Sequence, residues 1–258
     1  MTDSTDTAEE PRYGATGIAP ETPDAPGALT APELHTSVLP DVVRDDEEVR
    51  ALIAAANRNL GVLGFTEHGF RHVGLVAHIA RNVLQRLGYD RRHLDLAEIA
   101  GYLHDIGNVV SRHGHATTGA LLAHTILTRL GLAPQETAVV MGAIGSHGDD
   151  HGKLGEPVDA VSAALILADK SDVHRSRVRV TDPAEFDDHD RVNYATTSSF
   201  VRVDREAKTI TLELEIDTSI ATPMQYFELF LPRMLMCKRA AEVLGCTFRI
   251  TMNHVTML

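Results

Sequence analysis

From Asp45 to about Val173, apolar residues recur every three or four positions, the period of helices that bury one face. Val49, Leu52, Ile53 and Leu60 open the series, and Gly61 and Gly64 interrupt it. A second helix is predicted from about His68 to Leu87, with Val73, Val76, Ile79, Val83 and Leu87 at helical spacing and Gly88 just past its end. Further helices are predicted over Arg92 to Asp105, Ala116 to Leu130, Pro134 to Ile144 and Val158 to Val173, the first three closed by Gly107, Gly131 and Gly145. After Arg191 the period drops to two. Phe200, Val201 and Val203, then Ile210, Leu212, Leu214 and Ile216, alternate with polar residues across Asp204 to Lys208, which predicts a β-hairpin. A helix from Pro223 to Leu244, broken at Pro232, and a strand from Thr247 to Met252 end the pattern. The expected fold is mainly α: a helical bundle over residues 45–190 and a small α+β module, ββαβ in order, over 191–258.

Residues 1–44 are rich in Pro, Ala, Thr, Asp and Glu and poor in large apolar side chains, so they read as a flexible acidic tail. Of the net charge of −12, residues 1–50 carry −9, from 12 acids against 3 bases, which leaves −3 for the other 208 residues. A folded part so nearly balanced has no basic face for duplex nucleic acid, and that partner is not expected. The two cysteines, Cys237 and Cys246, form no CxxC pair, and the longest apolar run, Ala163 to Ala168, is too short for a bilayer. A cytoplasmic protein with no membrane partner is expected.

Chemistry concentrates in the histidines, 14 in all, ten of them between His68 and His151. His72, the doublet His104-Asp105, His115, His147 and Asp169 are candidate metal ligands. Neighbours on a helix point about 100° apart, so a His-Asp doublet can share a metal only at a helix end, where Gly107 is expected to supply the turn. His72 shares its side with Val76, Ile79 and Val83 and points inward, whereas His78 and His124 fall on outward faces. Four imidazoles and two carboxylates without thiolate suit iron or manganese, with zinc, cobalt and nickel as further fits. They also exceed the needs of one tetrahedral ion, so two divalent ions are expected, with Asp105 as the natural bridge.

Taken together, His72, the run Tyr102-Leu103-His104-Asp105-Ile106-Gly107, His115, His147 and Asp169 resemble the HD-domain metal-dependent phosphohydrolase superfamily over roughly residues 45–180. The resemblance implies an HD-type helical bundle. It places His72, His104, Asp105 and Asp169 on one metal and Asp105, His115 and His147 on a second. It also implies attack on a phosphate ester or anhydride, in a small nucleotide-like substrate, by a hydroxide bridging the two metals. Many two-metal members read His-Asp-Ile-Gly-Lys; here Asn108 takes the fifth place, and Lys170, His174 and Arg175 are the cations that could take over phosphate contact. The stretch from Ser146 to Gly152 is similar to an element of HD-GYP phosphodiesterases, although the Gly-Tyr-Pro signature is absent. His68, one turn before His72, is a candidate substrate contact. His151, flanked by Asp149, Asp150 and Gly152, is placed with Asp105 and Lys170 among the catalytic candidates. Two other functions fit the same ligands: a mixed-valent diiron oxygenase, as in HD-like myo-inositol oxygenase, and a metal-clamped sensor that forms a homodimer through its C-terminal module.

Overall fold

The computed structural model of the chain describes residues 38–150 and 153–257. His151 and most of the expected tail lie outside the described residues. The helices are α1 (Pro40–Asp45), α2 (Glu47–Val62), α3 (Phe70–Leu87), α4 (Arg91–Leu103), α5 (His115–Leu130), α6 (Pro134–Ser146), α7 (Ala160–Ser171), α8 (Asp188–Ala195) and α9 (Pro223–Val243). A short hairpin, β1 (Asp149–Asp150) and β2 (Lys153–Leu154), follows α6. The main sheet comprises β3 (Thr196–Asp204), β4 (Thr209–Ile216), β5 (Thr247–Met252) and β6 (Val255–Thr256), in that order. β3–β4 and β5–β6 are antiparallel, while β4 and β5 are parallel and joined through α9.

Local chemistry sets most of these boundaries. Asp46 and Asp90 accept bonds from first-turn backbone N–H groups of α2 and α4. Asp159 with Ser162, and Thr222 with Gln225, form reciprocal capping boxes at α7 and α9. Gly88 ends α3 in the left-handed region, at φ 88°.

Three helices depart from the sequence pattern. Helix α1, at the end of the segment read as tail, has Pro40 in its first turn and buries Val43, a single apolar anchor too sparse for periodicity to reveal. The polar helix α8 precedes the hairpin and was likewise not anticipated. Helix α9 runs unbroken through Pro232, which is exposed. The missing N–H costs about 3 kcal/mol in a helix interior, and burial of Tyr226, Phe230, Met234, Met236 and Cys237 on the same helix offsets it.

A continuous apolar core runs from α1 to β5, so the sheet and α9 pack on the same interior as the helices. Two close approaches inside it position the histidines. A Cβ on Gly101 of α4 would lie 2.6 Å from the Cα of Ala77, so α3 and α4 cross backbone to backbone. A Cβ on Gly107 would lie 2.0 Å from the carbonyl oxygen of His115. Gly107 therefore does not supply the turn through a special dihedral; it lets the segment after Asp105 lie directly on the start of α5. The turn is made at Asp105 itself, at φ −99° and ψ 2°. Gly107→Ala should lower stability by about 3 kcal/mol or more, the upper end of overpacking costs, seen as a fall in Tm of several degrees.

Candidate metal centre

Each of the six predicted ligands reaches the centre from a helix end or from the turn after one. His72 is the third residue of α3, which begins at Phe70 rather than at about His68. His104 and Asp105 follow the last residue of α4, His115 is the first of α5, His147 follows α6, and Asp169 lies in the last turn of α7. All four histidines and Asp105 are buried.

One face of every imidazole is committed to the protein. Nδ1 of His104, His115 and His147 lies 2.8, 3.0 and 2.5 Å from the carbonyl oxygens of Gly101, Arg112 and Ile144. Carbonyl oxygens only accept, so Nδ1 carries a proton, and Nε2 is the atom whose lone pair each neutral ring offers a metal. Nδ1 of His72 lies 2.6 Å from Oδ2 of Asp172, which orients that ring in the same way.

The four Nε2 atoms and the two carboxylates then converge. Nε2 of His72 and Nε2 of His104 are 3.2 Å apart. Oδ2 of Asp105 lies 3.6 and 3.4 Å from these two nitrogens, and Oδ1 of Asp169 lies 3.5 and 3.6 Å from them. On its other side, Oδ1 of Asp105 lies 3.6 Å from Nε2 of His115 and 3.9 Å from Nε2 of His147. These separations lie at or a few tenths of an ångström above the polyhedron edges of about 3.0–3.4 Å that ligands held about 2.1 Å from one ion would show. Oδ2 of Asp105 and Nε2 of His147 are buried with no hydrogen-bond partner, as expected of atoms whose partner is a cation. Ligand atoms lie mutually within 4.8 Å in two groups, His72-His104-Asp169 and His104-Asp105-His147. The donor set therefore fits divalent metal.

Electrostatics agree with that fit. Burial alone would raise the Asp105 and Asp169 carboxyls; His104 and His147 around Asp105, and Lys170 and His104 around Asp169, outweigh it and hold both well below the usual range. Burial and then the neighbouring His147 push His115 down to about 3, so it is a neutral ligand at ordinary pH. Burial opposes the charge on His104, but Asp105 and Asp169 prevail and raise it to about 10.

Of the other predicted residues, Lys170 is brought in, with Nζ 2.7 Å from Oδ2 of Asp169. His68 stands at the edge: its ring is 5.3 Å from that of His72 and its Nδ1 donates to the Thr66 carbonyl. His174 and Arg175 are not brought together with the ligands. His174 engages Ser176 and the Thr197 carbonyl and lines a cavity of about 490 Å³ that also touches Arg71 and Asp172, behind His72. Arg175 lies over the Tyr194 ring at 5.3 Å.

Sequence reasoning missed Asp172 and the part played by Asn108. Besides His72, Asp172 binds Arg71 at 2.8 Å, and Arg177 donates to its carbonyl at 2.7 Å. Its spacing of three from Asp169 was the available signal. Asn108 donates 2.9 Å to Oδ1 of Asp105, so the residue in place of the lysine steadies the bridging candidate. Asp172→Asn should weaken metal binding about 10- to 100-fold, the usual effect of losing an outer hydrogen-bond partner, measured by metal titration of the stripped protein.

Residues 69–174, which hold all six candidate ligands, match the HD domain family. Domains of this family bind divalent metals and are in general metal-dependent hydrolases. The uncharacterized protein MJ1020 of Methanocaldococcus jannaschii is 30% identical over 142 residues, 47% of this chain and 53% of that relative. The chain thus spans about half the length of the curated relative it matches. No described helix is long and apolar enough to cross a membrane.

Proposed function

We propose that this protein is a metal-dependent phosphohydrolase that cleaves a phosphate ester or anhydride in a small, nucleotide-like substrate. The observation that carries the reading is the convergence of four Nε2 atoms and two ionised carboxylates, with Oδ2 of Asp105 buried and without a hydrogen-bond partner. His72, His104, Asp105 and Asp169 would hold one ion, and Asp105, His115 and His147 a second, with iron or manganese the best match to a nitrogen-and-oxygen set. A pair of divalent ions supplies an acidified water and charge neutralisation at phosphorus.

The protein side of the chemistry follows from the placements already described. Asp105 presents one oxygen to each half of the ligand set, held by Asn108. Lys170 pairs with Asp169 and adds positive charge beside the site where phosphoryl oxygens gain charge. His68, at the edge, is placed to contact a bound substrate. In this reading residues 45–190 carry the ligands and residues 191–258 close over them.

Purified protein loaded with manganese or iron should release phosphate from members of a nucleotide and phosphoester panel equally well with and without oxygen. Turnover that consumes oxygen and requires iron would replace this reading with the oxygenase.

A further inference from the structure

Helix α9 buries a stripe made of Tyr226, Phe230 and Cys237, which are 0%, 0% and 1% exposed. The i, i+4, i+7, i+11 spacing places Arg233 on that same stripe. Arg233 is half-buried there, and a guanidinium partly shielded from water calls for a negative partner. Among the described residues Arg233 has no ion pair and no hydrogen bond; its one contact of this kind is with the Phe230 ring, 4.6 Å from its Cζ.

Helix α9 packs on α7, the helix that carries Asp169 and Lys170. The charges that act on it are those of Arg177, Asp169 and Arg112, which come from three other segments bordering the ligands. One turn further along α9, the buried thiol of Cys237 feels Lys170 and Asp169 in the same way. The neighbouring cations have commitments of their own: Arg177 donates to the Asp172 and Glu67 carbonyls, and Lys170 pairs with Asp169. Arg112 makes one long bond, 3.3 Å, to Asn108. Arg233 is also partly exposed, so its free N–H groups are accessible to a ligand.

We propose that Arg233 is a substrate-binding residue: its guanidinium binds phosphate oxygens of the substrate, with Arg112 as a second cation, and so α9 supplies part of the active site. This rests on the phosphohydrolase reading and narrows it to substrates whose phosphate groups carry at least two negative charges. A guanidinium fits such a group because its N–H donors match paired oxygens. Burial, together with the repulsion of Arg177 and Arg112, lowers the pKa of Arg233, yet an arginine stays charged in a protein, so its local field is relieved by an anion.

The test is calorimetric titration of the manganese-loaded full chain with pyrophosphate and with inorganic phosphate. Arg233→Gln should weaken pyrophosphate binding about 10- to 100-fold, the loss typical of hydrogen bonds to a charged group, with metal content and Tm unchanged. Arg233→Lys should recover part of the affinity, and Lys238→Gln, on the exposed side of α9, should bind as the parent does. Undiminished binding by Arg233→Gln, no binding by the parent, or a loss that tracks metal content equally in both Arg233 variants would overturn the proposal. A parent that hydrolyses phosphoesters while Arg233→Gln binds normally would leave the hydrolase reading intact and remove only this one. Weakened binding in a chain without hydrolytic turnover would do the reverse.

Discussion

Asp105→Asn will leave a folded protein that holds almost no metal and turns over no substrate. The carboxylate sits between His72 and His104 on one oxygen and His115 and His147 on the other, so its two oxygens join both halves of the ligand set. An amide of the same shape can keep its oxygen on the Asn108 donor but lacks the charge that draws cations into a buried site. Loss of such a ligand should exceed the roughly 10- to 100-fold effect of outer partners, and metal analysis after gel filtration should find less than a tenth of the parent's content. Asp105→Ala should show the same loss of metal together with lower stability, because it also leaves a cavity and takes the acceptor from the Asn108 amide. His124→Ala, on the exposed face of α5, should retain both metal and turnover. Unchanged turnover in either Asp105 variant would eliminate the mechanism.

Metal affinity will rise with pH. In the stripped protein His104 keeps its proton to about pH 10, against an ordinary value of 6.5. The sign follows from the direction of that shift. A raised pKa contributes stability that is complete below about pH 6.5 and fades as pH climbs toward 10. A cation entering the site must displace that proton, so apparent affinity should increase through the same window, by up to about tenfold per pH unit. His115, held down to about 3, has no proton to lose there and adds no further slope. Manganese titrations at pH 8 in buffers of different ionisation enthalpy should show about one proton released per chain. Binding that releases no proton and is indifferent to pH would show that His104 is not a ligand.

The helical block was legible because each helix buries one stripe and the 3.6-residue period survives in the order of Val73, Val76 and Val83, all buried. The ligands were legible for a related reason: imidazoles and carboxylates stand where apolar residues or caps would otherwise stand, near helix ends. What could not be read depends on contacts between distant segments. Asp172 meets His72 across 100 positions of chain. The closeness of Gly107 to His115 is a backbone approach that no side-chain pattern encodes. Pro232 reads as a break because local propensity takes no account of the interior that α9 covers. Arg233 falls on the apolar stripe of the same helix, an irregularity that periodicity tends to average away. His174 and Arg175 follow Asp169 closely in sequence, but α7 ends at Ser171 and the chain turns, which carries them to other partners.

Anomalous diffraction from crystals grown with manganese would test the central claim most directly. Two peaks about 3.5–4 Å apart are expected, the separation of ions that share a bridging carboxylate: one ringed by His72, His104, Asp105 and Asp169, the other by Asp105, His115 and His147. A single peak would contradict the paired centre, and no peak within bonding distance of these side chains would contradict the account as a whole.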